Sequence, residues 1–265
     1  MSKILNILCL GDVVGKLGRH ILLRELRSLQ QENHAHFTVL NVENASGGFG
    51  ITLKSYKELD SLDVQVFTSG NHVYDKKEIM DQFSQMPKLI RPLNFPKGSP
   101  GLGVKICQFN DIKIAVVNII GRVFMHPSDC PFQKMQSQME TLAKEVQIIL
   151  VDFHAEATSE KQAMGWFLDG KVACVFGTHT HVQTADERIL EKGTAYITDI
   201  GMTGASGGIL GMERGVIIQK FLTQLPVRFN AMDSGSRVIS GIKVSVDAIS
   251  GRAVSIERIQ REYRV

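Results

Sequence analysis

Val172-Ala-Cys-Val-Phe-Gly-Thr-His-Thr-His181 passes from an unbroken apolar run straight into two histidines spaced two apart. A short apolar run that stops at glycine reads as a buried strand. Four other stretches repeat the pattern. Residues 5–10 enter Gly11-Asp12, residues 37–42 enter Glu43-Asn44, residues 64–67 lead to Gly70-Asn71-His72, and residues 146–151 enter Asp152-Phe153-His154. In open α/β sheets, ligands bind outside the carboxyl ends of the strands. Five strand ends of this kind predict one site assembled from distant pieces of chain, built from metal-ligand side chains.

Between these strands the periodicity changes to that of helices, which argues for a largely parallel or mixed sheet covered by helices. Leu22, Leu26 and Leu29 predict an amphipathic helix over 18–31, and Phe132, Met135, Met139, Leu142 and Val146 a second. Residues 54–62 and 159–168 read as two more, the latter with Thr158 or Ser159 as its cap. Runs 104–109 and 112–119 flank Asn110-Asp111 as a hairpin. The tail from 238 to 259 alternates as two strands around 248–252, with Ile242, Val244 and Val246 on one face and Val254 and Ile256 on another. No repeat, low-complexity tract or linker divides the chain, so 1–265 reads as a single domain.

Composition narrows the function. A chain of 265 residues with 43% hydrophobic and 22% charged content is an ordinary globular protein. A net charge of +3 without a basic, aromatic stripe argues against long nucleic acid as the partner. Cys9, Cys107, Cys130 and Cys174 form no Cys-x-x-Cys pair and read as reduced thiols of a cytoplasmic protein. The first ten residues lack a signal-peptide pattern, and no stretch approaches the length of a membrane span.

Asp12, Glu43, Asn71, His154, His179 and His181 offer three imidazoles, two carboxylates and one amide oxygen. Mixed nitrogen and oxygen donors suit iron, manganese or zinc. Six donors exceed the needs of one open catalytic metal and match two with a bridging carboxylate. In extended chain, side chains at i and i+2 point the same way, so His179 and His181 converge. Gly70 permits a turn that separates Asn71 from His72. Two metals generate a hydroxide for in-line attack on phosphorus, and His72 fits the general acid for the leaving oxygen. Duller roles exist for each residue singly: a helix cap for Asp12, a structural histidine for His154, a partner of Asn71 or Asp75 for His72. Asp152 reads equally as a group that orients a ligand histidine or as a residue that only ends its strand. His20, His34, His36 and His126 read as surface or structural. Residues 15–18 and 46–50 read as flexible loops beside the site, and 201–211 as either a mobile flap or a tight connector.

The ordered set resembles the calcineurin-like metallophosphoesterase superfamily, and more closely its YmdB-type bacterial branch. Asn41-Val-Glu-Asn-Ala45, Thr68-Ser-Gly-Asn-His72, Thr198-Asp-Ile-Gly-Met-Thr203 and Phe221-Leu-Thr-Gln-Leu-Pro226 carry the likeness over nearly the whole chain. The resemblance implies an αββα sandwich of mixed sheets flanked by helices, with the site at the carboxyl ends of the strands. It implies that Asp12, Glu43 and His181 hold one metal, that Glu43, Asn71, His154 and His179 hold the other, and that Asn44 and His72 contact the scissile phosphate. The implied activity is hydrolysis of phosphodiesters, including 2′,3′-cyclic nucleotides, with iron or manganese, in a homo-oligomer (dimer or tetramer). Val14 and Glu43 depart from the wider superfamily, which carries histidine and aspartate there. Residues 204–208 depart from the pattern expected at the pocket rim. Two other readings of the same residues are a regulatory protein that works through a binding partner, and a nuclease on longer RNA.

Overall fold

Strands whose side chains are buried on both faces organise the structure, a computed structural model that describes residues 4–264. Residues 1–3, part of the stretch read for a leader, lie outside the described residues. In chain order the elements are β1 Ile4–Leu10, β2 Asp12–Val13, α1 Gly15–Glu32, β3 Phe37–Asn41, α2 Leu53–Asp60, β4 Val66–Thr68 and α3 Ile79–Gln82. A hairpin of β5 Val104–Phe109 and β6 Ile112–Ile120 follows, then α4 Pro131–Glu145, β7 Ile148–His154, α5 Thr158–Phe167 and β8 Cys174–Thr178. The remainder comprises β9 Arg188–Ile189, β10 Ala195–Ile197, β11 Met202–Ala205, α6 Arg214–Thr223, β12 Arg237–Asp247 and β13 Ala253–Tyr263.

Among the described residues these strands form two mixed sheets. One has seven strands in the order β2-β11-β12-β1-β3-β4, with β13 paired to β12; the other has six in the order β5-β6-β7-β8-β10-β9. β1, β3 and β4 run parallel in the first sheet, as do β6, β7, β8 and β10 in the second. Period-two alternation then sorts the apolar side chains into layers. Leu5, Ile7 and Cys9 of β1 meet Leu150 of β7 and Cys174 and Phe176 of β8 between the sheets. Leu8 and Leu10 face the other way, onto Ile21, Leu22, Leu26 and Leu29 of α1. On the far side, Val151 and Phe153 pack on Met135, Met139 and Leu142 of α4 and Met164 of α5. The result is the expected αββα sandwich. Its continuous apolar runs have a physical cause, since each such strand is covered on both faces.

Several local expectations change. The α5 cap is Ala157, which makes no side-chain capping bond, so neither Thr158 nor Ser159 serves. Residues 15–18 are the first turn of α1, not a loop. Residues 202–205 form β11, paired with β12 and β2, so the first half of the glycine-rich stretch is sheet and not a flap. Val14, in place of the superfamily histidine, is buried against Met202 and Val238. Ile256 lies opposite Val244, on the same face of the β12–β13 ribbon. Val254 is the extra residue where the register slips beside Val246, and that bulge leaves it 58% exposed. Helix α6 was not foreseen, because it buries only Ile217 and leaves Ile218, Phe221 and Leu222 exposed.

The layer assignment sets an expected contrast in stability. Ile242→Ala, in the layer between the sheets, should cost about 2–5 kcal/mol in urea unfolding. Val254→Ala at the bulge should stay within about 0.5 kcal/mol.

Candidate metal centre

The parallel strands of both sheets deliver their carboxyl ends to one place. Asp12 opens β2 just past β1, Glu43 stands two residues past β3, and Asn71 three past β4. His154 is the last residue of β7, and His179 and His181 follow β8. Asp12, Glu43 and His154 are buried, while Asn71, His179 and His181 are half-buried.

His154 Nε2 is the focus. Glu43 Oε1, Asn71 Oδ1 and His179 Nδ1 each lie 3.0 Å from it. Its other nitrogen, Nδ1, donates to Thr178 Oγ1 at 2.9 Å, and that hydroxyl donates to Asp152 Oδ1 at 2.6 Å. The relay fixes the tautomer that turns the Nε2 lone pair inward. Glu156, not singled out from the sequence, does the same for His179, with Oε2 3.1 Å from Nε2. Only its position two residues beyond His154 hinted at this role. Two imidazole lone pairs, a carboxylate oxygen and an amide oxygen therefore face one another. Glu43, His154 and His179 are also mutually close enough to hold one ion.

The electrostatics follow from this crowding. Burial pushes the Asp12 carboxyl well above its ordinary range, with the Glu43 and Asp199 charges adding to the rise against the pull of His154. Burial also acts on Glu43, but the charge and hydrogen bond of His154 outweigh it and hold that carboxyl at about 2. Burial opposes a charge on His154, yet Glu43 and Asp12 together raise it to about 9. Burial and the neighbouring His154 lower His179 to about 3, and burial lowers His181.

Divalent cations suit this donor set. Asp12 Oδ1 is buried without any hydrogen-bond partner, the kind of orphan a charge is needed to satisfy. Gly70 contributes room: a Cβ there would stand 2.2 Å from Glu43 Oε2 and 2.3 Å from His154 Nε2. The chain also turns there as expected, with Val73 N–H donating to Gly70 O at 3.3 Å, so the steric reason adds to the turn.

The structure places the remaining residues in two groups. His179 N–H donates to Asp12 Oδ2 at 3.3 Å, and Asp12 Oδ1 lies 4.0 Å from His154 Nδ1. His181 sits apart, with Nε2 3.2 Å from Asn44 Oδ1 and Nδ1 3.3 Å from the carbonyl of Leu210. His72 donates its backbone N–H to Glu43 Oε2, and its Nδ1 lies 2.8 Å from Asp75 Oδ2. His179 and His181 do not converge by strand alternation. Both have left-handed backbone, with φ of 100° and 64°, which costs strain at a non-glycine residue. A buried ion pair beneath the loop sustains it. Lys161 Nζ donates to Asp199 Oδ2 at 2.7 Å and to Thr178 O at 2.8 Å, while Asp199 Oδ2 also accepts from the N–H and hydroxyl of Thr180. Nothing in the sequence pattern marks Lys161, which lies inside an otherwise ordinary helical stretch. His20, His34, His36 and His126 are exposed, as expected.

Beside the cluster opens a chamber of about 320 Å³ that Glu43, Asn44, His72, His179 and His181 line at one end. Residues 204–208 stand away from it, and the rim begins at Ile209.

Comparison with known proteins agrees with this geometry. The family model for YmdB-like proteins matches residues 8–259. A 2′,3′-cyclic-nucleotide 2′-phosphodiesterase of Bacillus subtilis is 49% identical over 255 residues, covering 96% of each chain. The crystal structure of a phosphatase from Mycoplasma pneumoniae superposes with a TM-score of 0.94 at 33% identity, over 100% of this chain and 95% of that one. A putative 5′-nucleotidase from Staphylococcus aureus shares the fold alone, with a TM-score of 0.61 at 14% identity over 99% of this chain and 54% of that one.

The ion pair under the histidine loop generates a stability test. Lys161→Met strands the Asp199 carboxylate in the interior. The variant should lose about 3–5 kcal/mol, read as a lower midpoint of urea unfolding.

Proposed function

The chain belongs to the YmdB-like family of calcineurin-like metallophosphoesterases, and from that premise we propose that it is a metal-dependent phosphodiesterase acting on 2′,3′-cyclic nucleotides. The meeting of Glu43, Asn71 and His179 at His154 Nε2 is the observation that carries the reading. The similarity to the Bacillus subtilis enzyme supports the substrate class.

In this reading Glu43, Asn71, His154 and His179 hold one divalent ion, and Asp12, Glu43 and His181 the other. When bound, the pair supplies an activated water and neutralises phosphate charge. Iron and manganese are the proposed metals, with zinc as a third candidate, because the donors are mixed nitrogen and oxygen. The reading extends to one domain over 1–265, a homo-oligomer, and action in the cytoplasm on a small diester. Among the described residues no helix is long and apolar enough to cross a membrane.

The chain's own groups handle binding and proton movement. Asn44 Nδ2 donates one hydrogen to Gly48 O at 3.0 Å, which leaves its second hydrogen for a phosphate oxygen. His72 is held at Nδ1 by Asp75, so Nε2 is the nitrogen free to face the substrate. From the doubly protonated ring, Nε2 gives its proton to the departing ribose oxygen. The buried wall formed by Asp12, Glu43 and His154 keeps bulk water from the far side of the site.

Purified protein should contain close to two transition-metal ions per chain and hydrolyse 2′,3′-cyclic nucleotides faster than 3′,5′-cyclic diesters or monoesters. A chain that binds no metal, or that prefers monoesters, contradicts the reading. His72→Ala should lower kcat about 10²–10⁴-fold on a ribose leaving group. The loss should be much smaller on a bis(p-nitrophenyl) diester, whose leaving group needs no proton. Gly70→Ala should reduce the metal content measured by elemental analysis while leaving the fold intact by circular dichroism.

A further inference from the structure

The chamber beside the ligand cluster has a second end that the phosphate chemistry does not use. Phe49, Leu210, Met212, Ile217, Phe221 and Phe229 line it, and none offers a polar side-chain group. Ligand sites of a few hundred Å³ are typically apolar with a few polar groups that fix orientation. Here the polar groups stand only at the phosphate end. We propose that this apolar end holds the nucleobase of the substrate and grips the faces of the ring rather than reading its edge. The proposal rests on the phosphodiesterase reading for its substrate, and it goes beyond that reading in assigning how the base is bound and with what selectivity.

The geometry ties this wall to the site. Phe49 packs edge-on against His72, with ring centroids 5.1 Å apart, so the aromatic surface begins at the residue that faces the leaving oxygen. Leu210 contributes its side chain to the wall and its carbonyl to His181 Nδ1, from a left-handed backbone at φ 52°. The wall is pinned by backbone bonds: Ile209 and Met212 exchange two, Glu213 N–H donates to Asn230 O, and Met232 N–H donates to Gly211 O. A ring docked there lies next to the sugar and phosphate of the same molecule. An apolar wall offers dispersion and stacking to any base. It supplies no donors or acceptors with which to tell one base from another, so selectivity among bases should be weak while the requirement for a base is strong.

The test compares the four 2′,3′-cyclic nucleotides with 1-O-methyl-ribose 2′,3′-cyclic phosphate, which lacks a base. In parallel, calorimetric titration compares adenosine and uridine 3′-monophosphates with ribose 3-phosphate. Wild-type protein should treat the four nucleotides within about tenfold of one another and favour each over the abasic substrate by roughly tenfold to a hundredfold in kcat/KM. Phe221→Ala/Phe229→Ala should erase that preference while leaving the abasic rate unchanged, and should weaken nucleotide binding in the titration to the level of ribose 3-phosphate. Equal turnover or equal binding with and without a base in wild-type protein overturns the proposal, as does a double variant that loses both substrates alike. If no cyclic phosphate is hydrolysed but the titration still shows base-dependent binding that the double variant loses, the phosphodiesterase reading fails and the chamber assignment stands.

Discussion

The bond from His154 Nδ1 through Thr178 to Asp152 is the constraint on which the site depends. A buried imidazole flanked by Glu43 and Asp12 has two ways to face its neighbours, and only one presents Nε2 as a lone pair. Thr178 decides between them, because its own hydrogen is committed to Asp152 and it can only accept from His154. Asp152 is fixed in turn by Asn41 of β3, whose amide donates to it at 3.1 Å from the opposite sheet. Ser69, just past β4, ties to Asn118 of β6 in the same manner. Two sheets otherwise joined by an apolar layer are thus fastened by polar bonds at the ends where the donors emerge. A buried network of this kind stabilises only when each member is satisfied. Its members carry little tolerance for the wrong side chain.

That network explains what was legible in the sequence. Asp12, Glu43, Asn71, His154 and His179 announced themselves because each follows an apolar run, and an apolar run covered on both faces has one exit. A mixed sheet covered by helices was readable from the same runs, since helical periodicity separates them, whereas the division into two facing sheets was implied only by the family resemblance. Lys161 and Glu156 were hidden for the opposite reason. A helical lysine and a glutamate in a loop are common surface residues, and only the third dimension brings them to Asp199 and His179. The sequence also could not reveal that the two histidines past β8 leave the strand conformation. Alternation predicts their direction in extended chain, whereas the observed backbone is left-handed at both. Helix α6 escaped because its exposed Phe221 and Leu222 obscure any amphipathic stripe.

Strain at His179 and His181 is informative when set beside what holds it. Left-handed backbone at a non-glycine residue costs of order 1–3 kcal/mol and persists where the surroundings impose it. Asp12 accepts the N–H of His179, Asp199 accepts that of Thr180, and Lys161 holds the carbonyl of Thr178. Two consecutive peptide units, the first held at both its carbonyl and its N–H, are therefore anchored by charged groups, which make the stronger hydrogen bonds. The two imidazoles leave that anchored backbone in different directions, His179 toward His154 and His181 toward Asn44. Regular strand geometry would have aimed them alike. The strained turn lets one short segment serve both the buried cluster and the open chamber.

Under the proposed mechanism, a division of labour follows from burial. The carboxylates sit deepest, where their mutual repulsion is strongest and where Asp12 lacks a partner for Oδ1. His72 and Asp75 sit at the opening, where a proton given up by the ring can be replaced from solvent. A general acid placed as deep as His154 would be locked to its neighbours and unable to reprotonate between turnovers. A metal ligand placed as openly as Asp75 would pay for every ion with competing water. In the proposed mechanism depth therefore separates holding from proton transfer, and Glu43 joins the two regions because one oxygen faces His154 while the other accepts the His72 N–H.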